Sequence, residues 1–491
     1  MLDRQTLAAY RTRTHKYLTE SLLPFWLQRG PDAAGGYLTY FDRHGRPTGE
    51  TDKPFLMQAR ALMWLSAAHR AGYGDGRCAE QAAQVAAFIS EHYWDAAHDG
   101  WVWIADRQGK TLHADKVGYG QCFGLYAFSE FALAVRSAQE RNSGGAGWKP
   151  TPPSSAQKRW HAVGCNWAER SYASIAEHMI DTQFGGYWEL FKADWQPAPP
   201  GRGGGDRKSL DVHMHMLEAL TAYCELCAAA PADQADAPGS EARRYNADAP
   251  GSEARRYNAD APGSEARRYN DVSARRRLQE VIDLIETRML HPQQRLGYIQ
   301  FAADFRPLPA ILFDTPWGRD AKPADGVARP LDFTSYGHNL EYVWLLLHAA
   351  DVLGTPRSRY AATVRAIADH AVRFGIDREA GGVRTEGPMT GPSTLHEKQF
   401  WQQAEALVGF LDAYALLGDE AYWEAFTNVY EFVFAKLVPA DGGGEWMERV
   451  ARDGTPIDSA LGHAWKAGYH TVRAMVETIR RLEELERACE E

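Results

Sequence analysis

The sequence predicts an all-α fold, an (α/α)6 barrel of twelve helices with short β-hairpins between helix pairs. Two observations predict it. A short glycine-rich signature recurs six times, and each copy is followed by a helix that is apolar on nearly all sides. Glycines that precede alternating aromatic or β-branched residues are typical of a short hairpin strand. A helix that is apolar all round is a buried one, so six such helices predict a closed inner ring.

The six copies of the signature share a glycine turn followed by hydrophobic residues. They read GGYLTYFD from Gly35, DGWVWIADRQG from Asp99, GGYWELFKADW from Gly185, LGYIQFAADF from Leu296, GGVRTEG from Gly381 and GGGEWMER from Gly442. No single repeat of this kind buries its own apolar face, so the repeats are expected to stack into one body. We therefore expect a single catalytic domain over residues 1–491.

Twelve segments of the chain have the apolar spacing of a helix. They begin near Asp3, Pro54, Cys78, Gly118, Trp160, Leu210, Ala274, Tyr336, Arg359, Glu397, Ala421 and His463. The even-numbered segments are the more apolar, as in FGLYAFSEFALAV and LEYVWLLLHAADVL, and the signature follows each odd-numbered segment. This alternation places the even segments in the inner ring and the odd segments in an outer ring.

One stretch interrupts the regular spacing of the repeats. The sequence ADAPGSEARRYN occurs three times in succession over residues 235–270. It is rich in Ala, Pro, Gly, Ser and charged residues and has little to bury, which is typical of disorder. We interpret residues 228–272 as a disordered insertion between the sixth and seventh helices.

Composition excludes several classes of partner. The net charge is −10 and no basic face is evident, which argues against nucleic acid and anionic membranes. No run of 18 apolar residues exists, and the N-terminus lacks the apolar core of a signal peptide. The six cysteines are scattered and are read as free thiols, so we expect a cytoplasmic protein. The 16 Trp and 22 Tyr favour a small-molecule sugar as partner.

Unusual polar residues gather near the starts of the inner helices. They are Arg60, Tyr119, Gln121, His215, Glu218, His338, Glu341, Trp401, Gln402, Glu405, Trp465 and His470. Because each repeat carries them at a similar position, the sequence predicts one central site in the ring.

Two histidine–glutamate pairs suggest proton transfer. SYGHNLEYVWLL places His338 and Glu341 on one helix face, and LDVHMHMLEA does the same for His215 and Glu218. A carboxylate orients a histidine and raises its pKa, which suits acid–base work near neutral pH. Any one of these histidines could be a paired core residue. Together with His470, however, three histidines lie at inner-helix starts, and this repetition favours a catalytic role.

A metal site is the main alternative for these pairs, since two His-x-x-Glu motifs on inner helices are able to bind iron. Such a site needs further carboxylates on neighbouring helices, where this chain has Arg60, Tyr119 and Trp401. We therefore predict no metal. Arg60 either pairs with a buried carboxylate or holds the oxygen of an enediolate. Trp401 and Trp465 either stack against a sugar ring, as we predict, or pack in the hydrophobic core.

The segments that carry these residues resemble the N-acylglucosamine 2-epimerase superfamily, which includes cellobiose 2-epimerases and mannose isomerases or epimerases. The segments are MQAR at 57–60, YGQCFGLYAFSE at 119–130, HMHMLEA at 213–219, SYGHNLEYVWLL at 335–346, FWQQAEALVGFL at 400–411 and WKAGYHTVRA at 465–474. The resemblance implies an (α/α)6 barrel and proton transfer without a metal or organic redox cofactor. It implies that His338 and His470 are the acid–base pair. Around the sugar it places Arg60, Tyr119, His215, Glu218, Glu341, Trp401 and Glu405.

The chain departs from the family pattern at two places. Asp211 stands four residues before His215, where members commonly carry Asn, and WKAGYH replaces the Pro-Tyr-His or Cys-Phe-His forms of two subfamilies. The predicted reaction is epimerisation at C2 of a mannose/glucose-type or cellobiose-type aldose through an enediolate. Aldose–ketose isomerisation and N-acylglucosamine epimerisation use the same residues and stay open. Less favoured are a glycoside hydrolase acting through Asp211 and Glu341, and a non-catalytic sugar-binding protein. We expect a monomer or homodimer.

Overall fold

The computed structural model of the chain describes residues 3–141, 154–229, 264–313, 329–440 and 444–489. Its helices alternate between an outer and an inner ring and confirm the predicted (α/α)6 barrel. The outer ring contains α1 (Arg4–Tyr17) with α2 (Leu23–Arg29), α4 (Arg77–His92), α6 (Ser155–His178), α8 (Ser264–Leu284), α10 (Ala361–His370) and α12 (Glu420–Phe432). The inner ring contains α3 (Phe55–Arg70), α5 (Gly118–Arg141), α7 (Leu210–Ala228), α9 (Tyr336–Leu353), α11 (Phe400–Leu417) and α13 (Tyr469–Ala488).

The inner ring is closed. Each inner helix packs against the next, and α13 packs against α3 to complete the circle. The apolar sequences of these helices explain their position: every residue from Phe55 to Leu65 of α3 is buried, as is every residue from Leu340 to Leu347 of α9. Removing such continuous apolar surface from water is the main force that assembles the ring.

Short antiparallel strands connect neighbouring repeats at the end of the barrel where the inner helices begin. They are β1 (Lys53–Pro54), β2 (Ile104–Ala105), β3 (Thr111–His113), β4 (Lys116–Val117), β5 (Leu190–Phe191), β6 (Arg207–Ser209), β7 (Gln300–Ala302), β8 (Pro307–Leu308), β9 (Phe333–Ser335), β10 (Glu386–Pro388), β11 (Lys398–Gln399), β12 (Arg449–Val450) and β13 (Pro456–Asp458).

Most of the pairing crosses from one repeat to the next. The strand before each of the first five inner helices pairs with the signature strand of the following repeat, giving β1–β2, β4–β5, β6–β7, β9–β10 and β11–β12. A bridge between Phe41 and Gly462 joins the last repeat to the first. The predicted local hairpins exist as β2–β3, β7–β8 and β12–β13. Because two-residue strands are marginal alone, the cross-repeat pairs act by linking helices that are already packed.

In four of the six repeats, a buried lysine–aspartate pair joins the start of the inner helix to the end of the preceding outer helix. A lysine two residues before an inner helix bonds an aspartate at the end of the preceding outer helix. The N–O distances are 2.9 Å for Lys53–Asp32, 2.7 Å for Lys116–Asp95, 2.6 Å for Lys208–Asp181 and 3.2 Å for Lys398–Asp377. All four lysine side chains are fully buried, so removing either partner would leave an uncompensated buried charge.

Side chains in the first turns of five inner helices clamp the signature backbone. Gln58, Gln121, His213, Asn339 and Gln403 accept hydrogen bonds from the backbone N–H groups of signature residues at 2.8–3.1 Å. Gln121 is therefore a structural residue, although the sequence placed it with the site. The clamps satisfy backbone groups that would otherwise be buried without partners.

Several helix boundaries differ from the prediction. The last helix begins at Tyr469 and not near His463, because residues 463–466 form a turn and Gly468 takes a left-handed conformation with φ +50°. The seventh helical arm begins at Ser264, inside the third copy of the repeat, so the predicted disordered segment extended too far. The rest of the predicted insertion, residues 230–263, lies outside the described residues.

Among the described residues, no helix combines the length and the apolarity needed to cross a membrane.

Candidate active site

Six equivalent positions on the inner helices face the centre of the ring. Five of them lie two residues after the clamp residue of their helix and are Arg60, Phe123, His215, Glu341 and Glu405. The sixth, Arg473 of α13, lies two residues after Thr471, which bonds the side chain of Glu445 and not the signature backbone. The Arg60 guanidinium lies 4.8 Å from the ring centre of Phe123, which in turn lies 5.0 Å from that of His215. Arg473 contacts both Glu341 and Glu405. Equivalent positions of the six repeats thus bring charged and aromatic side chains together at the centre of the ring.

Arg473 holds three buried carboxylates together. Its Nη2 donates to Glu405 at 2.7 Å and to Glu341 at 3.2 Å, and its Nη1 donates to Glu218. Its guanidinium also stacks on the Tyr469 ring, 3.9 Å from the ring centre. Burial would lower the pKa of this arginine, but the charges of Glu405 and Glu218 outweigh it and raise this pKa. Arg473 is therefore a fixed cation at the base of the site.

Glu405 orients His470. Nδ1 of His470 lies 2.6 Å from Oε1 of Glu405, whose Oε2 accepts a hydrogen bond from Trp344 Nε1 at 2.8 Å. Burial opposes ionisation of Glu405, but Arg473 and His470 lower its pKa to about 2. Burial lowers the pKa of His470 to about 3, against the raising effect of Glu405. His470 is thus neutral near pH 7, donates from Nδ1, and carries its lone pair on Nε2.

His215 lies at the centre of a hydrogen-bonded chain. Its Nδ1 is 3.0 Å from Glu218 Oε2, and its Nε2 is 2.8 Å from the hydroxyl of Tyr119 and 3.2 Å from Oδ1 of Asp211. Burial would lower the pKa of His215, but Asp211 and Glu218 outweigh it and raise this pKa to about 10. His215 is therefore a buried cation that is held by carboxylates.

Arg60 does not pair with Glu218 or Glu341, which was one of the two roles the sequence left open. Its Nη2 donates to the Tyr119 hydroxyl at 2.8 Å and its Nη1 donates to the backbone oxygen of Trp465. Its Nε is buried and has no hydrogen-bond partner among the described residues. Arg60 is consequently a buried cation with unused donor capacity, able to bind an anionic oxygen.

His338 stands at the mouth of the site. Its side chain is 28% exposed, and its Nε2 lies 3.5 Å from Oδ1 of Asp211. Burial alone would lower the pKa of His338, but Asp211 and Glu341 raise it. A cavity of about 230 Å³ opens beside it, with Tyr119, Asp211 and Trp465 in its wall.

Two tryptophans border the space between the histidines. The ring centre of Trp401 lies 4.7 Å from that of His338 and 5.7 Å from that of His470. Trp465 lies 5.5 Å from Tyr119 and lines the cavity. The ten residues predicted for the site therefore form one contiguous cluster. Gln402 bonds the backbone oxygen of Thr385 instead, at 3.2 Å.

The carboxylates of Glu341 and Glu405 lie within 4.8 Å of each other and of His470, close enough to share an ion. Arg473 already bonds both carboxylates, so their charge is balanced by the protein itself. The donor set fits a cation poorly, because a guanidinium at bonding distance repels a metal.

Sequence reasoning missed Arg473 and Tyr469, and it noted Asp211 only as a departure from the family and as a hydrolase candidate. Tyr469 donates to Glu218 Oε2 at 2.6 Å. Aligning the six inner helices, with Thr471 of α13 placed at the clamp position of the other five, is the signal that finds Arg473, because it then falls on the same position as Arg60 and His215.

Comparison with known proteins identifies the family of the chain. Residues 36–147 and 310–474 match the N-acylglucosamine 2-epimerase (GlcNAc 2-epimerase) family, and the chain belongs to that family. It is 23% identical over 470 residues to a cellobiose 2-epimerase of Eubacterium cellulosolvens, spanning 95% of this chain and 97% of the relative. It is 21% identical to a D-mannose isomerase of Marinomonas mediterranea, over 94% of this chain and 95% of the relative.

A solved structure has the same fold. The cellobiose 2-epimerase of Spirochaeta thermophila aligns with a TM-score of 0.73 and 23% identity, covering 98% of each chain. The family and its relatives make this chain a carbohydrate epimerase or isomerase.

Proposed function

We propose that this protein is a sugar 2-epimerase that inverts C2 of a mannose/glucose-type or cellobiose-type aldose, with His338 and His470 as its acid–base pair. The observation that carries the proposal is the contrast between these two histidines. His470 is buried and neutral, whereas His338 lies beside Asp211 and favours the charged form. Trp401 borders both rings, so a sugar at that position would have an imidazole within reach on two sides.

The chemistry follows from the acidity of C2. In the open-chain sugar the C1 aldehyde acidifies the proton on C2, and a neutral imidazole is a suitable base for it. Removal of the proton gives an enediolate, whose negative oxygen needs a fixed cationic donor. Arg60 has an unpartnered buried Nε and fits this role. Return of a proton to the opposite face of C2 gives the 2-epimer.

The remaining residues hold this arrangement. Glu405 fixes the tautomer of His470, and Arg473 keeps Glu405 ionised. Tyr119 and His215 extend the hydrogen-bonded chain from Arg60. Trp401 and Trp465 offer flat apolar surfaces to a sugar ring. No step in this scheme calls for a metal or an organic cofactor.

Two related outcomes use the same residues. Delivery of the proton to C1 instead of C2 would give a ketose, and an N-acylated sugar would react in the same way. The names of the relatives, which include both a cellobiose 2-epimerase and a D-mannose isomerase, favour keeping isomerisation as the second candidate.

Glycoside hydrolysis through Asp211 and Glu341 has less support. Asp211 lies between two histidines, and Glu341 bonds Arg473. The pKa of Glu341 is raised to about 7 by burial and by the neighbouring charge of Glu405, which would suit an acid. Its engagement with Arg473 nevertheless leaves it poorly placed to reach a glycosidic oxygen.

The proposal also covers the domain organisation, the oligomeric state and the cellular compartment of the protein. Residues 1–491 form one catalytic domain, with residues 230–263 as an inserted segment, and the protein acts as a monomer or homodimer. No disulfide bond joins any of the six cysteines, all of which the structure describes, and this supports a reducing, cytoplasmic compartment.

A panel of sugars tests the function. The protein is incubated with mannose, cellobiose and N-acetylglucosamine, and the products are resolved by chromatography and NMR. Formation of a 2-epimer from at least one sugar supports the proposal. Formation of a ketose alone would favour the isomerase, and release of glucose from cellobiose would favour a hydrolase.

A further inference from the structure

We propose that Asp211 is a positioning residue that aligns His215 and His338 and keeps His338 as an imidazolium, so that His338 enters the reaction as the acid and His470 as the base. This inference rests on the proposed function, because it assigns the direction of proton flow within the same site.

The geometry places one carboxylate oxygen between two imidazoles. Oδ1 of Asp211 lies 3.2 Å from Nε2 of His215 and 3.5 Å from Nε2 of His338. That oxygen is shielded from solvent, although 37% of the Asp211 side chain as a whole is exposed, and it makes no well-formed hydrogen bond to any described residue. A buried carboxylate oxygen without such a bond is costly unless positive charge lies beside it, so the site favours protonated imidazole there.

The other groups around His338 leave Asp211 as the main influence. From its own helix Glu341 also favours the charged form, and from α7 the His215 cation opposes it. α11 presents the uncharged ring of Trp401. Glu405 of α11 and Arg473 of α13 form an ion pair, so their opposite charges largely cancel in their effect on His338. Arg473 also forms an ion pair with Glu341. Asp211 offsets the repulsion between the His215 cation and a protonated His338. Without Asp211, only Glu341 would counter that repulsion.

The groups around His470, unlike those around His338, disfavour a positive charge on the imidazole. Its carboxylate partner, Glu405, is shared with Arg473, and Arg60 lies close enough to disfavour a second positive charge. His470 is 7% exposed and loses most of its hydration. Two histidines of equal intrinsic basicity are therefore shifted in opposite directions, His338 toward the imidazolium and His470 toward the neutral imidazole.

The proton balance then has a defined order. Nε2 of His470 takes the C2 proton, the C2–H electrons form the C1–C2 double bond, and the carbonyl oxygen becomes negative. His338 then gives its proton to the other face of C2 and the carbonyl re-forms. The cycle ends with His470 charged and His338 neutral, and exchange with water restores the resting state. Asp211 favours this restoration because it stabilises the charge on His338.

Histidine side-chain NMR tests the inference directly on the free protein. The pKa of His338 is measured by a pH titration of its ring signals, which are assigned by their loss in His338→Gln. Asp211→Asn removes the charge with almost no change in shape. Asp52→Asn is the matched control, because Asp52 is an exposed aspartate just before α3, at the same end of the barrel.

We expect the pKa of His338 to fall by about 1–3 units in Asp211→Asn and to stay unchanged in Asp52→Asn. The alkaline limb of kcat/KM should move to lower pH by the same amount, since it requires protonated His338. An unchanged His338 pKa in folded Asp211→Asn would overturn the inference, whatever its activity. A shifted pKa in a protein that epimerises no sugar would uphold the charge relation and instead refute the proposed function.

Discussion

Nδ1 of His470 lies 2.6 Å from Oε1 of Glu405, and this contact decides which nitrogen of the imidazole faces the sugar. Glu405 is ionised because Arg473 bonds the same oxygen at 2.7 Å. The Nδ1 proton is therefore held on the protein side, and the lone pair on Nε2 is free to act as a base.

Removing either member of the acid–base pair should stop turnover. We expect His338→Ala and His470→Ala each to lower kcat by about 10²–10⁴-fold, the usual loss for one acid or base group. The helical circular dichroism should be unchanged, because neither side chain fills the core between the rings. His348→Ala is a matched control on α9, since His348 is 41% exposed and pairs with Glu225 outside the site. A rate above a tenth of wild type in either site variant would refute that histidine's role.

Arg473→Met should destabilise the whole barrel. It leaves Glu218, Glu341 and Glu405 buried without their shared cation, and breaking a buried pair costs roughly 3–5 kcal/mol. Urea unfolding measures the change. Arg480→Met on the same helix is the control, because Arg480 is 43% exposed, its partners Glu477 and Glu484 are 27% and 44% exposed, and ion pairs in contact with solvent contribute about 0–1 kcal/mol. Equal effects of the two substitutions would show that Arg473 does not hold the carboxylates together.

Shortening the tandem repeat should change little. We expect deletion of residues 235–258, two of the three identical copies, to preserve melting temperature and activity. The reason is compositional, since the repeat has few residues to bury and changing loop length costs only about 0.6 kcal/mol per doubling. The third copy is retained because α8 begins within it at Ser264. A drop of many degrees in melting temperature would mean that the deleted residues contribute to the core.

Activity should survive removal of metal ions. After exhaustive dialysis against EDTA we expect full turnover and no stoichiometric metal by elemental analysis. Glu341, Glu405 and His470 lie close enough to bind an ion, but Arg473 already balances their charge. Loss of activity that Mn²⁺ or Zn²⁺ restores would reassign these three residues as ligands.

The ring could be predicted from the sequence because six copies of one signature leave a single way to bury six apolar helices. The gathering of polar side chains at one end of the ring could be predicted because Arg60, His338 and His470 are unusual in apolar helix starts. Arg473 was missed because α13 carries four arginines, and only packing reveals which of them faces the centre. The strand pairs between repeats were missed because a two-residue strand carries too little sequence pattern to indicate its partner.

Solvent deuterium at C2 tests the central claim most directly. The protein is incubated in D₂O with the sugar that it converts, and the product is examined by proton and carbon NMR. Because the proton removed by one histidine is replaced by a proton from the other, the account predicts a 2-epimer that carries deuterium at C2 from the first turnovers. An epimer that retains its original C2 proton would contradict proton transfer through His338 and His470.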